Sequence, residues 1–182
     1  MKKTGEEIIC RAKIFDVANV HLENKSGEKV LHSVIRFVDT VSVLPITNRG
    51  TIILEKQYRS TVDDYLIEIP AGKIDAGETP EEALRRELEE EICMRPLSLR
   101  HVFTAFVSCG ILDEKMYYYI AEVEEIPACE RNHFPDDDET IEIIELTPEE
   151  VLKKIYNYEI KDTKTVALLM TYLYEKSNAA KL

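Results

Sequence analysis

The sequence has no tryptophan, no apolar run of 18 residues, and far fewer basic than acidic residues. Without a long apolar run, no membrane span is predicted. The 23 lysines and arginines against 35 aspartates and glutamates give a net charge of −12. That charge argues against a nucleic acid as the partner, because such a partner requires a basic face. A small anionic substrate stays possible if bound cations and a few well-placed arginines overcome the negative field.

The cysteines are few and scattered: Cys10, Cys93, Cys109 and Cys129 lack the spacing of a metal site. Isolated cysteines in a cytosolic protein are more often small buried apolar residues than disulfide partners, so we expect no chemistry from them. Two lysines follow the first methionine, but no apolar segment follows these lysines, and therefore no secretory signal is predicted. We expect a cytoplasmic protein.

The length of 182 residues suits one well-buried domain with a small appendage. No internal repeat and no linker rich in Gly, Ser or Pro divides the chain. Residues 8–16, 18–22 and 29–37 are predicted to be extended, with a glycine-containing hairpin among them. We interpret residues 1–39 as an N-terminal antiparallel β ribbon that pairs with a second copy to form a homodimer, and residues 40–182 as the main domain.

The main domain is predicted to contain more strands than helices. This pattern indicates the α+β class, with a mixed sheet sandwiched by helices in an α/β/α arrangement. In the last helix, Val166, Leu169, Met170 and Leu173 are predicted to face inward. The predicted strands cover 40–46, 51–59, 65–70, 98–106, 115–123 and 140–146, and two of the predicted helices cover about 147–158 and 162–176.

The most informative stretch runs from residue 72 to residue 94, where a loop containing glycines directly precedes a helix crowded with carboxylates. Thr79 and Glu82 have the spacing of a capping box, and Pro80 suits the first helical position. The helix is therefore predicted to start at Thr79 or Pro80.

The faces of this helix carry different residues. Leu84, Leu88 and Ile92 form an apolar stripe that can pack on a sheet, while Glu87, Glu90 and Glu91 lie on the adjoining face. Glu87 and Glu91 are separated by about 6 Å along the axis, at about 1.5 Å rise per residue, so both carboxylates can reach one cluster of divalent cations. On composition alone, such an acidic run is typical of a solvent-exposed helix face.

The spacing of this stretch resembles the signature of the Nudix hydrolases, G-x5-E-x7-R-E-U-x-E-E-x-G-U, in which U is a bulky aliphatic residue. Cys93 stands where the family has glycine, so the helix is predicted to end without the usual left-handed residue. The positions that agree are Gly72, Glu78, Arg86, Glu87, Leu88, Glu90, Glu91 and Met94.

Segments outside the signature resemble the ADP-ribose pyrophosphatase branch of this family. They are EKQYR before EIPAG, DEK before an aromatic strand, and DDETIEI before TPEE. The resemblance implies the Nudix fold and the hydrolysis of ADP-ribose, a small-molecule substrate, to AMP and ribose 5-phosphate. It also implies Mg²⁺ as the cofactor, with Mn²⁺ as a possible substitute.

The resemblance assigns the metal site to the signature helix and to the residue before it. Glu87 and Glu91 are the expected ligands, together with the backbone carbonyl of Ala71, and Glu90 is a third carboxylate ligand or an orienting partner. Glu78 and Arg86 are expected to form a supporting ion pair that holds the loop on the helix. Diphosphate hydrolysis needs such cations, because they neutralise the anionic oxygens and acidify the attacking water.

The catalytic base and the substrate contacts are assigned in the same way. Glu139 best matches the position of the branch's general base; Asp136, Asp137 and Asp138 are alternatives, and water held by metals could serve without a base. Arg59 matches an arginine that contacts substrate and suits a diphosphate. Gly110 and Glu114 lie where the branch contacts the terminal ribose. Cys109 replaces a proline that is typical of the branch, which weakens the substrate assignment more than the reaction type.

Two other functions stay open. The same chemistry can act on GDP-mannose, another ADP-sugar or a dinucleotide. A non-hydrolytic ADP-ribose sensor is a third hypothesis, which the presence of Glu87, Glu90 and Glu91 disfavours. The adenine-stacking residue is left open among Phe15, Phe37 and Tyr117 to Tyr119, because aromatic residues in strands are usually core residues.

Overall fold

The computed structural model describes residues 1–125 and 141–179. Its N-terminal part is an antiparallel sheet of three strands in the order β1-β2-β3, with β1 at Lys2–Arg11, β2 at Asp16–Glu23 and β3 at Lys29–Arg36. The Asn24 side chain closes the turn between β2 and β3, since its Oδ1 accepts the N–H groups of Ser26 at 2.9 Å and Glu28 at 3.0 Å. The predicted N-terminal antiparallel ribbon is confirmed.

A sheet of seven strands forms the main part of the protein, in the order β10-β5-β4-β9-β8, with β6 paired to β5 and β7 paired to β4. The predicted mixed α+β architecture is confirmed. The strands are β4 (Thr40–Thr47), β5 (Ile52–Arg59), β6 (Asp64–Glu68), β7 (Ala71–Lys73), β8 (Met94–Phe106), β9 (Lys115–Glu125) and β10 (Ile141–Leu146), and the helices are α1 (Pro80–Ile92), α2 (Pro148–Tyr156) and α3 (Thr163–Ala179).

The chain forms two compact units. The first contains Met1–Thr40 and Thr104–Met116, and the second contains Val41–Phe103 and Tyr117–Leu182. Within the first unit, the segment after β8 lies beside β3, because Ile35 N–H donates to the Ile111 carbonyl at 2.7 Å. The division of the chain at residues 39 and 40 into a dimerisation ribbon and a catalytic domain stays a prediction.

The core of the second unit packs against one face of α1. Leu84, Leu88 and Ile92 are almost fully buried and pack with a cluster that includes Val41, Val43, Ile53, Tyr119, Ala121 and Val123. The predicted apolar stripe is therefore confirmed. Each buried leucine contributes about 1.5 to 3 kcal/mol, so the apolar face holds α1 in place on the sheet.

The predicted inner face of α3 is partly wrong. Leu169 is fully buried, as expected, but Met170 is 39% exposed. The buried positions are instead Thr165, Leu168 and Leu169, which follow the i, i+3, i+4 spacing of one helix face. Met170 lies beyond the edge of this stripe, and an apolar residue type alone does not require burial.

In the described part of the chain, no helix combines the length and the apolar character needed to cross a membrane.

Candidate metal and substrate site

Local interactions set the start of α1. Thr79 is the N-cap: its Oγ1 accepts the Glu82 N–H at 3.3 Å, and Glu82 Oε2 accepts the Thr79 N–H at 2.7 Å. Pro80 begins the helix. Because this capping box satisfies two backbone donors at once, it fixes where the loop from Gly72 enters the helix.

The end of α1 corrects one prediction. Cys93 adopts the left-handed conformation, with φ 56° and ψ 38°, and its N–H donates to the carbonyls of Glu89 and Leu88. The helix thus ends with the usual left-handed residue although this residue is not glycine. A non-glycine residue in this region costs roughly 1 to 2 kcal/mol, which the packing of Leu88 and Ile92 can offset.

Gly72 allows the Glu87 carboxylate to lie against the backbone of β7. A Cβ at position 72 would be 1.8 Å from Glu87 Oε1 and 1.9 Å from its Cδ, far closer than van der Waals contact allows. Glycine at this position therefore leaves the space that the carboxylate occupies. This contact links the loop glycine of the signature to one predicted metal ligand.

Glu91 approaches the same stretch of backbone. Glu91 is only 6% exposed, and its Oε2 accepts the Ala71 N–H at 3.2 Å. Glu87 and Glu91 thus converge on the consecutive residues Ala71 and Gly72. The structure brings together the two carboxylates and the backbone segment that were assigned to the metal site.

Glu78, Arg86, Glu87 and Glu90 form a group that we call the box cluster. Arg86 Nε and Nη2 donate to the two oxygens of Glu78, each at 3.0 Å. Arg86 Nη1 donates to Glu87 Oε1 at 2.7 Å and to Glu90 Oε2 at 3.0 Å, and Nη2 also donates to the Lys73 carbonyl at 3.0 Å. These hydrogen bonds with carboxylates raise the pKa of Arg86, and the one with Glu78 has the largest effect. One arginine thus binds three carboxylates.

The box cluster and its surroundings suit a divalent cation. Carboxylate and backbone oxygens are the donors that Mg²⁺ and Mn²⁺ prefer, and the space at Gly72 keeps the Glu87 carboxylate beside the backbone. Among residues 1–125 and 141–179, no three acidic, histidine or cysteine side chains already surround a common point as a complete metal-binding group. A cation has to compete with Arg86 for Glu87 and Glu90.

A second group, which we call the buried cluster, consists of Glu55, Arg59, Glu68 and Lys164. Arg59 donates from Nε to Glu68 Oε1 at 2.8 Å and from Nη2 to Glu68 Oε2 at 2.9 Å. Lys164 Nζ contacts Glu68 Oε2 as well. Burial raises the pKa of Glu68, but the hydrogen bond from Arg59 and the charge of Lys164 outweigh it and lower that pKa overall.

Glu55 is fully buried at 0% exposure, on the strand that also carries Arg59. Neither carboxyl oxygen has a partner at hydrogen-bonding distance and angle among the described residues, although Glu91 is close enough to affect its pKa. Burial, and next the charge of Glu68, raise the pKa of Glu55 to about 8. The charges of Lys164 and Arg59 lower this pKa but do not outweigh burial and Glu68, so Glu55 is largely neutral at pH 7.

The predicted contacts to the terminal ribose lie in the first unit. Gly110 is exposed, and a Cβ there would meet no atom within 4 Å. Glu114 Oε1 accepts the Thr40 hydroxyl at 2.7 Å. The neighbouring Asp113 accepts the Phe37 N–H at 2.8 Å and Arg36 Nη1 at 2.9 Å. The predicted base Glu139 and its alternatives Asp136, Asp137 and Asp138 lie outside the described residues.

Three residues of the buried cluster were not predicted from the sequence: Glu55, Glu68 and Lys164. A usable signal was present for the two glutamates, because each stands within an apolar strand segment, and charged residues in such segments are seldom fully buried unless paired. No comparable signal marks Lys164, which lies in a polar segment at the start of α3.

Comparison with known proteins gives concordant results. A family model described as NUDIX domain matches residues 36–169. An ADP-ribose pyrophosphatase of Bacillus subtilis (strain 168) is 34% identical over 175 residues, which cover 96% of this chain and 93% of the relative. A GDP-mannose pyrophosphatase of Yersinia enterocolitica is 33% identical over 129 residues, which cover 66% and 65% of the two chains.

A solved structure described as an ADP compounds hydrolase has a TM-score of 0.83 and 21% sequence identity, and the match covers 100% of this chain and 98% of that chain. At this identity the likeness shows the fold alone. The expected fold is confirmed.

Proposed function

The chain belongs to the NUDIX family as a hydrolase similar to ADP-ribose pyrophosphatases, and from this premise we propose that it hydrolyses ADP-ribose to AMP and ribose 5-phosphate with Mg²⁺. The observation that carries the proposal is the convergence of Glu87 and Glu91 on Ala71 and Gly72. The extent of the match to the Bacillus subtilis relative supports the choice of substrate.

Members of the family generally use divalent metal ions. In our proposal, Glu87, Glu91 and the carbonyl of Ala71 hold Mg²⁺, or Mn²⁺ in its place, and Glu90 contributes a third carboxylate. When bound, such ions neutralise the diphosphate charge and lower the pKa of a bound water. Arg86 and Glu78 support the site by holding α1 and the loop before it together.

Arg59 is our proposed contact to the diphosphate. Its Nε and Nη2 are bound to Glu68, which leaves Nη1 without a partner in the described part of the protein. A guanidinium with one side anchored and one nitrogen free can still donate two hydrogen bonds to phosphate oxygens. Gly110 and Glu114 stay proposals for the terminal ribose, and Glu139 stays a proposal for the general base.

A second substrate class is favoured by the relative from Yersinia enterocolitica, which is described as a GDP-mannose pyrophosphatase. The proposed chemistry at the diphosphate is the same for this substrate. The nucleobase and the sugar differ between ADP-ribose and GDP-mannose. Because Cys109 replaces the proline that is typical of the ADP-ribose branch, both substrates have to be tested.

The test is a substrate panel at fixed Mg²⁺ with ADP-ribose, ADP-glucose, GDP-mannose and diadenosine diphosphate, with products separated by chromatography. We expect the highest kcat/KM for ADP-ribose, with AMP and ribose 5-phosphate as the products, and no turnover in Glu91→Gln. A higher kcat/KM for GDP-mannose would move the assignment to the second class. Tight ADP-ribose binding without turnover would make the protein a sensor.

We also propose a homodimer formed through the N-terminal ribbon, and a cytoplasmic location. The ribbon exposes apolar side chains, among them Ile9 and Leu31, each 53% exposed, and burial of such side chains against a second copy would stabilise a dimer. Light scattering checks the first proposal, because a monomeric mass at working concentration would refute it. Cell fractionation with an antibody checks the second.

A further inference from the structure

We propose that Lys164 is a positioning residue for Arg59, acting through the Glu68 carboxylate that the two cations share. Arg59 lies at the end of β5, Glu68 at the end of β6 and Lys164 in the first turn of α3. The proposal rests on the proposed function only in that Arg59 binds a diphosphate.

Both oxygens of Glu68 are occupied. Oε1 accepts Arg59 Nε at 2.8 Å, and Oε2 accepts Arg59 Nη2 at 2.9 Å and also contacts Lys164 Nζ. The Glu68 side chain is only 2% exposed and that of Lys164 12%, so water cannot readily replace either partner. The orientation of Glu68, and with it the plane of the Arg59 guanidinium, therefore depends on Lys164.

The start of α3 is itself anchored to the strand end that carries Glu68. The Asp162 carboxylate accepts the Thr165 N–H at 2.9 Å and the Thr165 hydroxyl at 2.6 Å, as an N-cap residue does. Thr165 Oγ1 in turn accepts the Ile69 N–H at 3.0 Å. Lys164 also contacts Asp162 at 3.1 Å. These bonds fix the backbone on both sides of the Lys164–Glu68 contact.

This arrangement presents Arg59 in one orientation. Because its Nε and Nη2 edge is held by Glu68, the guanidinium plane and the direction of Nη1 are set before any ligand arrives. If Lys164 is lost, Glu68 keeps only one cationic partner and can turn with Arg59. Binding of a diphosphate then includes the cost of ordering Arg59, which raises KM and leaves the later chemical step nearly unchanged.

The test is a double-mutant cycle with Lys164→Met, Arg59→Ala and the double variant, measured with ADP-ribose and Mg²⁺. Lys164→Met keeps the length and apolar stem of the side chain but removes its charge. We expect KM to rise about tenfold, with kcat changed less than about threefold. In the Arg59→Ala background, the same replacement should change KM less than about twofold. Lys164→Arg should restore most of the lost affinity.

A second readout does not require turnover. Isothermal titration with α,β-methylene ADP-ribose should show the same coupling in Kd, so a failure of the proposed hydrolysis is recognised separately from a failure of this inference. Equal effects of Lys164→Met in both backgrounds would assign Lys164 a merely structural role and overturn the proposal. An unchanged KM and Kd in Lys164→Met, or in Arg59→Ala, would overturn it too. If Lys164→Met does not fold, Lys164→Gln replaces it in the same cycle.

Discussion

The box cluster and the buried cluster differ in the ratio of cationic to anionic side chains. In the box cluster, one arginine serves three carboxylates whose side chains are 12% to 24% exposed. In the buried cluster, the Glu68 carboxylate contacts two cationic side chains, Arg59 and Lys164. A second carboxyl, Glu55, has no hydrogen-bonding partner among the described residues. The first arrangement has an excess of negative charge near solvent that suits added cations, whereas the second holds cationic side chains in fixed positions.

The largest expected effect is on the unfolding free energy, which burial of Glu55 in the buried cluster makes dependent on pH. The pKa of Glu55 rises from 4.5 to about 8 on folding. Below pH 4.5 the carboxyl is protonated in both states, and the favourable contribution is fully present. Between pH 4.5 and 8 this contribution to the unfolding free energy is progressively lost, because the unfolded state has already released the proton that the folded state retains.

Wild-type protein in EDTA should therefore lose unfolding free energy relative to Glu55→Gln, by about 1 kcal/mol per pH unit, between pH 4.5 and 8. Urea unfolding at several pH values measures the difference. Glu122→Gln, an exposed carboxylate on β9, is the control and should follow wild type. Parallel curves for wild type and Glu55→Gln would show that Glu55 is not held neutral.

The next largest effect is expected from a substitution at the close contact between Gly72 and the Glu87 carboxylate. Gly72→Ala places a methyl group where Glu87 Oε1 now lies, so the carboxylate has to move. The moved atoms belong to the end of a flexible side chain, and the fold should be kept, with the unfolding free energy changed by less than about 1 kcal/mol. The kcat/KM should fall about tenfold to a hundredfold, or roughly 1.4 to 2.7 kcal/mol.

Gly5→Ala is the matched control, since a Cβ at Gly5 would lie at least 3.8 Å from its neighbours. It should change neither activity nor stability appreciably. Full activity in Gly72→Ala would mean that the present position of Glu87 does not matter for the reaction.

The smallest effect concerns the end of α1. Cys93→Gly should raise the unfolding free energy by about 0.5 to 1 kcal/mol, because glycine adopts positive φ without strain but loses more entropy on folding. Thermal unfolding measures this change, and activity should stay as in wild type. A loss of stability would show that the Cys93 side chain contributes more by packing than its backbone conformation costs.

The sequence was informative where structure is determined locally. The capping boxes at Thr79 and Glu82, and at Thr147 and Glu150, predict helix starts because all partners lie within four residues. The spacing of Leu84, Leu88 and Ile92 likewise predicts the buried face of α1. The convergence of Glu87 and Glu91 on β7 became visible only in the structure, where Gly72 and the Ala71 N–H are beside them.

Contacts between distant residues were not predictable. Glu68 and Lys164 are 96 residues apart in the chain, and no short pattern links a strand end to the first turn of a later helix. The left-handed conformation of Cys93 was also missed, because it depends on how the chain enters β8 and not on the preference of cysteine. Local spacing thus revealed the box cluster, while the buried cluster required the fold.

The most direct test of the central claim is Mn²⁺ binding followed by electron paramagnetic resonance in wild type, Glu87→Gln, Glu91→Gln and Glu81→Gln. Glu81 is the matched control, because it is an exposed carboxylate in the first turn of the same helix. If Glu87 and Glu91 hold the cation, their variants weaken Mn²⁺ binding by at least about tenfold, and Glu81→Gln binds like wild type. Equal Mn²⁺ affinity in all four proteins would contradict the assignment of the metal site to α1.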